Sequence, residues 1–198
     1  ADNGPICPKN WAVLCAFHLL RGAESASALA SSLTLDNTSR TETLRLPASK
    51  TDPSAVGCSR TWGCVCHCVD PSEYTCNPPC PYHSALALET ELHAQFGLSD
   101  GTLPPDLPLF PSRSGLWPSR SDFIDTLSVF ASLLCLETVD LLGRSAVGEH
   151  VWRVTGARHL ARLQVPYGLI TLLARGGSNV ILRYISEAPL LKLTAVYR

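Results

Sequence analysis

Residues 58–83, CSRTWGCVCHCVDPSEYTCNPPCPYH, hold six of the chain's nine cysteines and four of its fifteen prolines. No single helix or strand runs through such a segment, because proline lacks the amide donor that both ladders need and its ring clashes with the preceding turn of a helix. It reads as a loop or an inserted knuckle, so the chain on either side must fold around it. Just upstream, residues 41–46 (TETLRL) alternate polar and apolar side chains, then Pro47 and the SKTDP turn follow. That pattern predicts a strand entering a tight turn. Just downstream, residues 84–96 have helical spacing and stop at Gly97 in a C-cap position.

The remaining segments are mostly helical. Residues 11–33 carry helical apolar spacing with a small-residue face, GAESASALASS. Residues 99–118 form a Pro/Gly/Ser-rich connector, and residues 121–136 a helix with Ser121 or Asp122 as its N-cap. Beyond Gly148 come helical stretches at 151–163 and 166–174. A turn at Gly176–Gly177 precedes a last short helix near 178–185. The expected class is mainly α, in the α+β sense, with one small sheet.

Composition is that of a packed globular chain: 45% of its 198 residues are hydrophobic and 17% charged. The longest apolar run, WAVLCAFHLL, is too short to span a bilayer, so no membrane partner is expected. No positively charged segment followed by an apolar core and a cleavage site opens the sequence, so a secretory signal is not expected. It contains no methionine, and the expectation is a fragment, residues 1–198 being one domain with a further N-terminal domain missing. Net charge is −1, which alone gives no reason to expect a polyanion partner. The average conceals an asymmetry. From Arg144 to Arg198 eight Lys and Arg residues face two acids, so the last quarter is a cationic module suited to a polyanion.

Cys64, Cys66, Cys68, Cys76 and Cys80, with His67 and His83 nearby, offer more soft ligands than the four zinc needs. The spacing matches no standard knuckle. Reduced loop thiols are therefore the expectation, with zinc on Cys64, Cys66, Cys68, Cys76, Cys80 and His83 as the alternative and disulfides last. Cys7, Cys15, Cys58 and Cys135 are scattered and read as small buried hydrophobes. His18, His93 and His159 have no partner in the sequence and read as structural or surface residues.

Chemistry concentrates in residues 148–190, GEHVWRVTGARHLARLQVPYGLITLLARGGSNVILRYISEAPL. His150 and Arg153 stand at i and i+3, hence on one helix face. Tyr184 follows on a short helix capped by Ser178. A phenol near an imidazole and a guanidinium is the set required for phosphoryl transfer to tyrosine, with cationic donors neutralising the non-bridging oxygens.

These residues resemble the second box of the tyrosine recombinases: H-x-x-R, a helix, a glycine-containing turn and then the tyrosine. The pattern also requires an earlier arginine in L-R-x-x-E, which Leu20-Arg21-Gly22-Ala23-Glu24 supplies. It requires a lysine in a β-turn soon after, where Lys50 stands in LRLPASKTD. LPxSKTDP and CPYH are similar in wording to the eukaryotic mobile-element branch. The resemblance implies a tyrosine recombinase catalytic-domain fold, helical with a small antiparallel sheet, bearing a Cys-rich insert at 58–83 and lacking the N-terminal core-binding domain.

It also implies a DNA recombinase or integrase that forms a 3′-phosphotyrosine. Tyr184 would be the nucleophile, Arg21 and Arg153 would hold the phosphate, and Lys50 would protonate the leaving oxygen. His150 would assist proton transfer and Glu24 would orient its neighbours. No cofactor is implied, since the phosphotyrosine conserves the bond energy. DNA is the implied partner, a homotetramer the implied assembly, and the nucleus or cytoplasm the implied location. Where the family carries Trp or His, eight residues before the tyrosine, this chain has Gly176, so loss of activity is one expectation. The alternatives are a decayed recombinase serving as a DNA-binding module and a type IB topoisomerase-like nicking and closing enzyme.

Overall fold

The computed structural model describes residues 3–46, 57–66, 79–139, 148 and 150–174. The described elements, in chain order, are α1 (Pro8–Phe17), α2 (Gly22–Ser25), a 3₁₀ turn (Ala30–Ser32), β1 (Leu33–Asp36), β2 (Thr41–Leu46) and β3 (Cys58–Gly63). Then follow α3 (Pro81–Phe96), α4 (Arg120–Leu133), α5 (Val151–Arg162) and α6 (Tyr167–Leu173). The class is mainly helical with a three-stranded antiparallel sheet in the order β1-β2-β3, as the sequence suggests.

The sheet is larger than the sequence shows. β1 and β3 flank the expected strand, with Leu33 opposite Leu44 and Arg60 also opposite Leu44 on the other side. The β1–β2 turn is held by Asp36, whose carboxylate accepts from the Thr38 and Ser39 amides at 2.8 and 3.1 Å. Hydrogen bonds from Ser39 and Thr38 hold the Asp36 carboxyl below its usual range. β3 escapes detection because its inward residue is Arg60, a charge that is nevertheless buried. It donates through Nη1 to the His18 carbonyl. The first part of the Cys-rich segment is thus a strand, a correction to its reading as loop throughout.

The helix expected over 11–33 is also broken. It starts earlier, at Pro8, and ends at Phe17. Leu19 takes a left-handed φ of 52°, and the chain then enters the short α2. Two other boundaries move. Pro81 occupies the first turn of α3, where its missing amide costs nothing. The N-cap of α4 is Ser119, which accepts from the Asp122 amide while the Asp122 carboxylate accepts from the Ser119 amide.

The core joins α1, the sheet, α3 and α4: Trp11, Leu14, Leu44, Leu46, Leu88 and Phe110 are all buried in it. Trp11 lies against Phe123 and Trp152, each ring pair 5.2 Å apart. Through Trp152, α5 joins this core. A closer contact forms at Gly156, where any Cβ would stand 1.9 Å from the Ala16 carbonyl oxygen. The glycine is what lets α5 lie on the end of α1. Among the described residues no helix is long and apolar enough to cross a membrane.

Candidate active site

The short connection between α1 and α2, His18–Arg21, is held from three directions. From the sheet, Glu42 Oε1 lies 2.7 Å from His18 Nε2, and both side chains are fully buried. From β3, Arg60 reaches the His18 carbonyl. From α5, Arg153 Nε donates to the Leu19 carbonyl at 3.1 Å. A buried imidazole–carboxylate hydrogen bond and two buried guanidinium–carbonyl bonds leave this segment little freedom, because moving it would strand buried polar groups away from water. Its last residue is Arg21.

Arg21 begins α2, and Glu24 closes back onto it. The Arg21 amide donates to Glu24 Oε2 at 2.9 Å, and Arg21 Nη1 donates to Glu24 Oε1 at 3.3 Å. Glu24 Oε2 also lies 3.5 Å from Arg153 Nη2. Two guanidiniums from distant parts of the chain therefore share one carboxylate. The Arg153 side chain is 5% exposed and Arg21 29%, so one fork is sunk in the protein and the other reaches solvent. Planar forks fixed by carbonyl and carboxylate partners suit recognition of a tetrahedral oxyanion.

His150 is the N-cap of α5, exposed, and its carbonyl accepts from the Val154 amide at 3.0 Å. It stands one turn before Arg153, at the start of the same helix. Lys50 falls in the connection between β2 and β3, and Gly176 and Tyr184 follow α6; all three lie outside the described residues. The structure thus brings Arg21, Glu24 and Arg153 together and puts His150 on the helix that carries Arg153.

Sequence reasoning missed the supports behind this arrangement: the Leu19 carbonyl, Arg60 and the His18–Glu42 pair. A carbonyl leaves no trace in sequence, and His18 had no visible partner because Glu42 stands in another element. His159, also without a partner in the sequence, packs edge-on against Phe17 at 5.5 Å. Its burial, with Arg162 nearby, lowers its pKa.

A second cluster lies where β3 meets α3. Cys64 Sγ is 3.6 Å from Cys66 Sγ and 3.7 Å from Cys80 Sγ, and Cys66 Sγ is 3.0 Å from His83 Nδ1. These four ligand atoms all lie within 4.8 Å of one another, a group that could hold a metal ion. Burial pushes the Cys64 thiol up to about 11. Of the other candidate ligands, Cys68 and Cys76 lie outside the described residues.

No protein-family model and no curated protein sequence matches the chain. Its structure does match solved ones. The XerH site-specific recombinase bound to palindromic difH substrate, a post-cleavage complex, superposes with a TM-score of 0.63 at 13% identity, over 96% of this chain and 45% of that one. The pre-cleavage complex of XerH with difH gives 0.60, with the same identity and coverage. The Tn1549 transposon integrase, in complex with circular intermediate DNA, gives 0.53 at 14% identity, over 96% of this chain and 56% of that one. The chain has the tyrosine recombinase catalytic-domain fold, and it spans about half the length of these proteins.

Proposed function

We propose that this chain is the catalytic domain of a tyrosine recombinase, which cuts and rejoins DNA through a 3′-phosphotyrosine. The observation that carries the reading is the meeting of Arg21 and Arg153 on Glu24, within a fold shared with site-specific recombinases. Both XerH and the Tn1549 integrase were solved with DNA. In this reading the two forks bind the scissile phosphate, and their N–H donors grow in value as charge builds on the phosphorane oxygens.

Arg153 is held by Leu19 and Glu24, so it needs little rearrangement on binding. Arg21, more exposed, closes over the phosphate from the other side. Tyr184 attacks the phosphorus through its phenolic oxygen and displaces the 5′ oxygen of the next nucleotide. His150 accepts the phenolic proton and Lys50 donates one to the leaving oxygen. Rejoining reverses the sequence. Full recombination requires four such domains on two duplexes, inside the cell where DNA is found, and the cationic residues from Arg144 onward supply contacts to the phosphate backbone.

A second reading is favoured by one residue. Gly176 replaces the Trp or His donor that the resemblance calls for, so the domain would bind DNA without cutting it. A nicked suicide duplex, from which the cleaved fragment diffuses away, separates the two. The enzyme leaves a protein–DNA adduct that survives denaturing electrophoresis; the relic leaves none, and substituting Gly176→Trp does not restore it.

A further inference from the structure

The three thiols and the imidazole at the junction of β3 and α3 come from two short pieces of chain whose backbones are both fixed. Cys64 follows β3 directly, and its amide donates to the Arg40 carbonyl at 2.9 Å, which extends the strand pairing by one residue. Cys80 is the N-cap of α3 and His83 lies in its first turn, an i, i+3 pair on one face. Cys80 and His83 are buried, while Cys64 and Cys66 are half-buried.

Zinc bound at about 2.0–2.3 Å by a tetrahedron of sulfur and nitrogen requires ligand–ligand edges of roughly 3.3–3.8 Å. The two sulfur–sulfur separations, 3.6 and 3.7 Å, already have that length, and the Cys66 Sγ–His83 Nδ1 edge, 3.0 Å, has about 0.3 Å to open. With all four atoms inside 4.8 Å, the widest edge has at most about 1 Å to close.

Neither simpler explanation covers the arrangement. None of the three cysteines forms a disulfide, and one between any two would leave the third thiol and the imidazole grouped for no purpose. Ordinary packing would be served as well by alanine or valine, and would not select four soft ligands within 4.8 Å of one another. We infer that Cys64, Cys66, Cys80 and His83 form a Cys₃His zinc site that staples the end of β3 to the start of α3.

Four protein ligands fill the coordination sphere, so the site is structural and carries no reaction. Three thiolates and one zinc ion leave a single negative charge. The Arg40 guanidinium stands beside it, 3.1 Å from His83 Nε2 and 6.0 Å above the Tyr82 ring. Metal on Nδ1 places the ring proton on Nε2. Arg40 then turns from the imidazole towards the thiolates, whose charge it offsets. The staple anchors β3 at the end opposite its connection to β2, the connection that contains Lys50.

The test uses the full chain, purified reduced. Plasma mass spectrometry is expected to find about one zinc per chain. Chelation should lower the melting temperature, and added zinc should restore it. Replacement by cobalt should give the strong visible bands of a tetrahedral site together with thiolate-to-cobalt charge transfer. Cys66→Ser should reduce that charge transfer by about a third, as three thiolates become two. The double variant Cys68→Ser, Cys76→Ser should keep both the stoichiometry and the spectrum.

If Cys80→Ser or His83→Ala fails to fold, the cobalt spectra of the parent and of Cys66→Ser still decide. Two results overturn the inference. One is a reduced chain that carries no zinc and gives no tetrahedral cobalt spectrum. The other is zinc retained by Cys66→Ser but lost from the Cys68, Cys76 double variant.

Discussion

Glu24 Oε2 lies 3.5 Å from Arg153 Nη2, and the same carboxylate accepts the amide and the guanidinium of Arg21. One side chain thereby sets the spacing of two guanidiniums. Removing it should act on stability and on phosphate binding together. Glu24→Ala leaves Arg153 buried beside a lost counter-charge, and should cost about 3–5 kcal/mol in urea unfolding. Glu24→Gln keeps acceptor and shape, and should cost less. In a double-mutant cycle, Glu24→Gln with Arg153→Leu should give a coupling of about 0.5–3 kcal/mol. A coupling of zero would mean that the two side chains do not interact.

Arg153→Lys keeps the charge but loses both the Nε donor to Leu19 and the planar fork. Covalent adduct formation should slow by about 10²–10³, the usual effect of losing one preorganised donor. DNA affinity, set by many phosphate contacts, should change little. An equal loss in both measurements would assign Arg153 to binding alone.

Gly156 marks the contact between α5 and α1. Gly156→Ala puts a methyl group 1.9 Å from the Ala16 carbonyl oxygen and 2.5 Å from Leu19 Cδ2, so the helices must part. The expected cost is about 1–3 kcal/mol of stability. Because Arg153 rides on α5 and binds the Leu19 carbonyl, activity should fall even at temperatures where the variant remains folded. Unchanged thermal unfolding would show that α5 does not pack this closely.

The chain's net charge is −1, yet its last quarter is cationic. Binding to duplex DNA should therefore be weak, largely indifferent to sequence and steeply dependent on salt, with log affinity falling linearly in log salt concentration. Titrations at two salt concentrations measure the slope. A flat response would remove the electrostatic account of how this domain meets DNA.

Much of this was legible in the sequence, and for identifiable reasons. Leu20-Arg21-Gly22-Ala23-Glu24 and His150–Arg153 are local patterns, and local patterns survive in a single sequence. So do the alternation of TETLRL and the helical spacing around α3, α4 and α5. The partners of β2 were hidden. β1 is only four residues long, and β3 presents Arg60 where an apolar residue would have declared a strand. Glu42 misleads in the same way: it belongs to the buried face of β2 beside Leu44 and Leu46, and its place there makes sense only once His18 is opposite. Of the soft ligands, the structure groups Cys64, Cys66, Cys80 and His83. Spacing alone could not choose them, because the two pairs come from separate elements.

The central claim is that Tyr184 becomes linked to DNA, and mapping the linked residue tests it most directly. The chain, alone and fused to a DNA-clamping domain, is incubated with a nicked suicide duplex, and any adduct is digested with trypsin and then nuclease. The account predicts a nucleotide attached to the peptide Tyr184–Lys192, on the tyrosine, with no adduct from Tyr184→Phe although that variant folds and binds DNA as the parent does. Attachment to Tyr74, Tyr82, Tyr167 or Tyr197, or an adduct that persists in Tyr184→Phe, would contradict it.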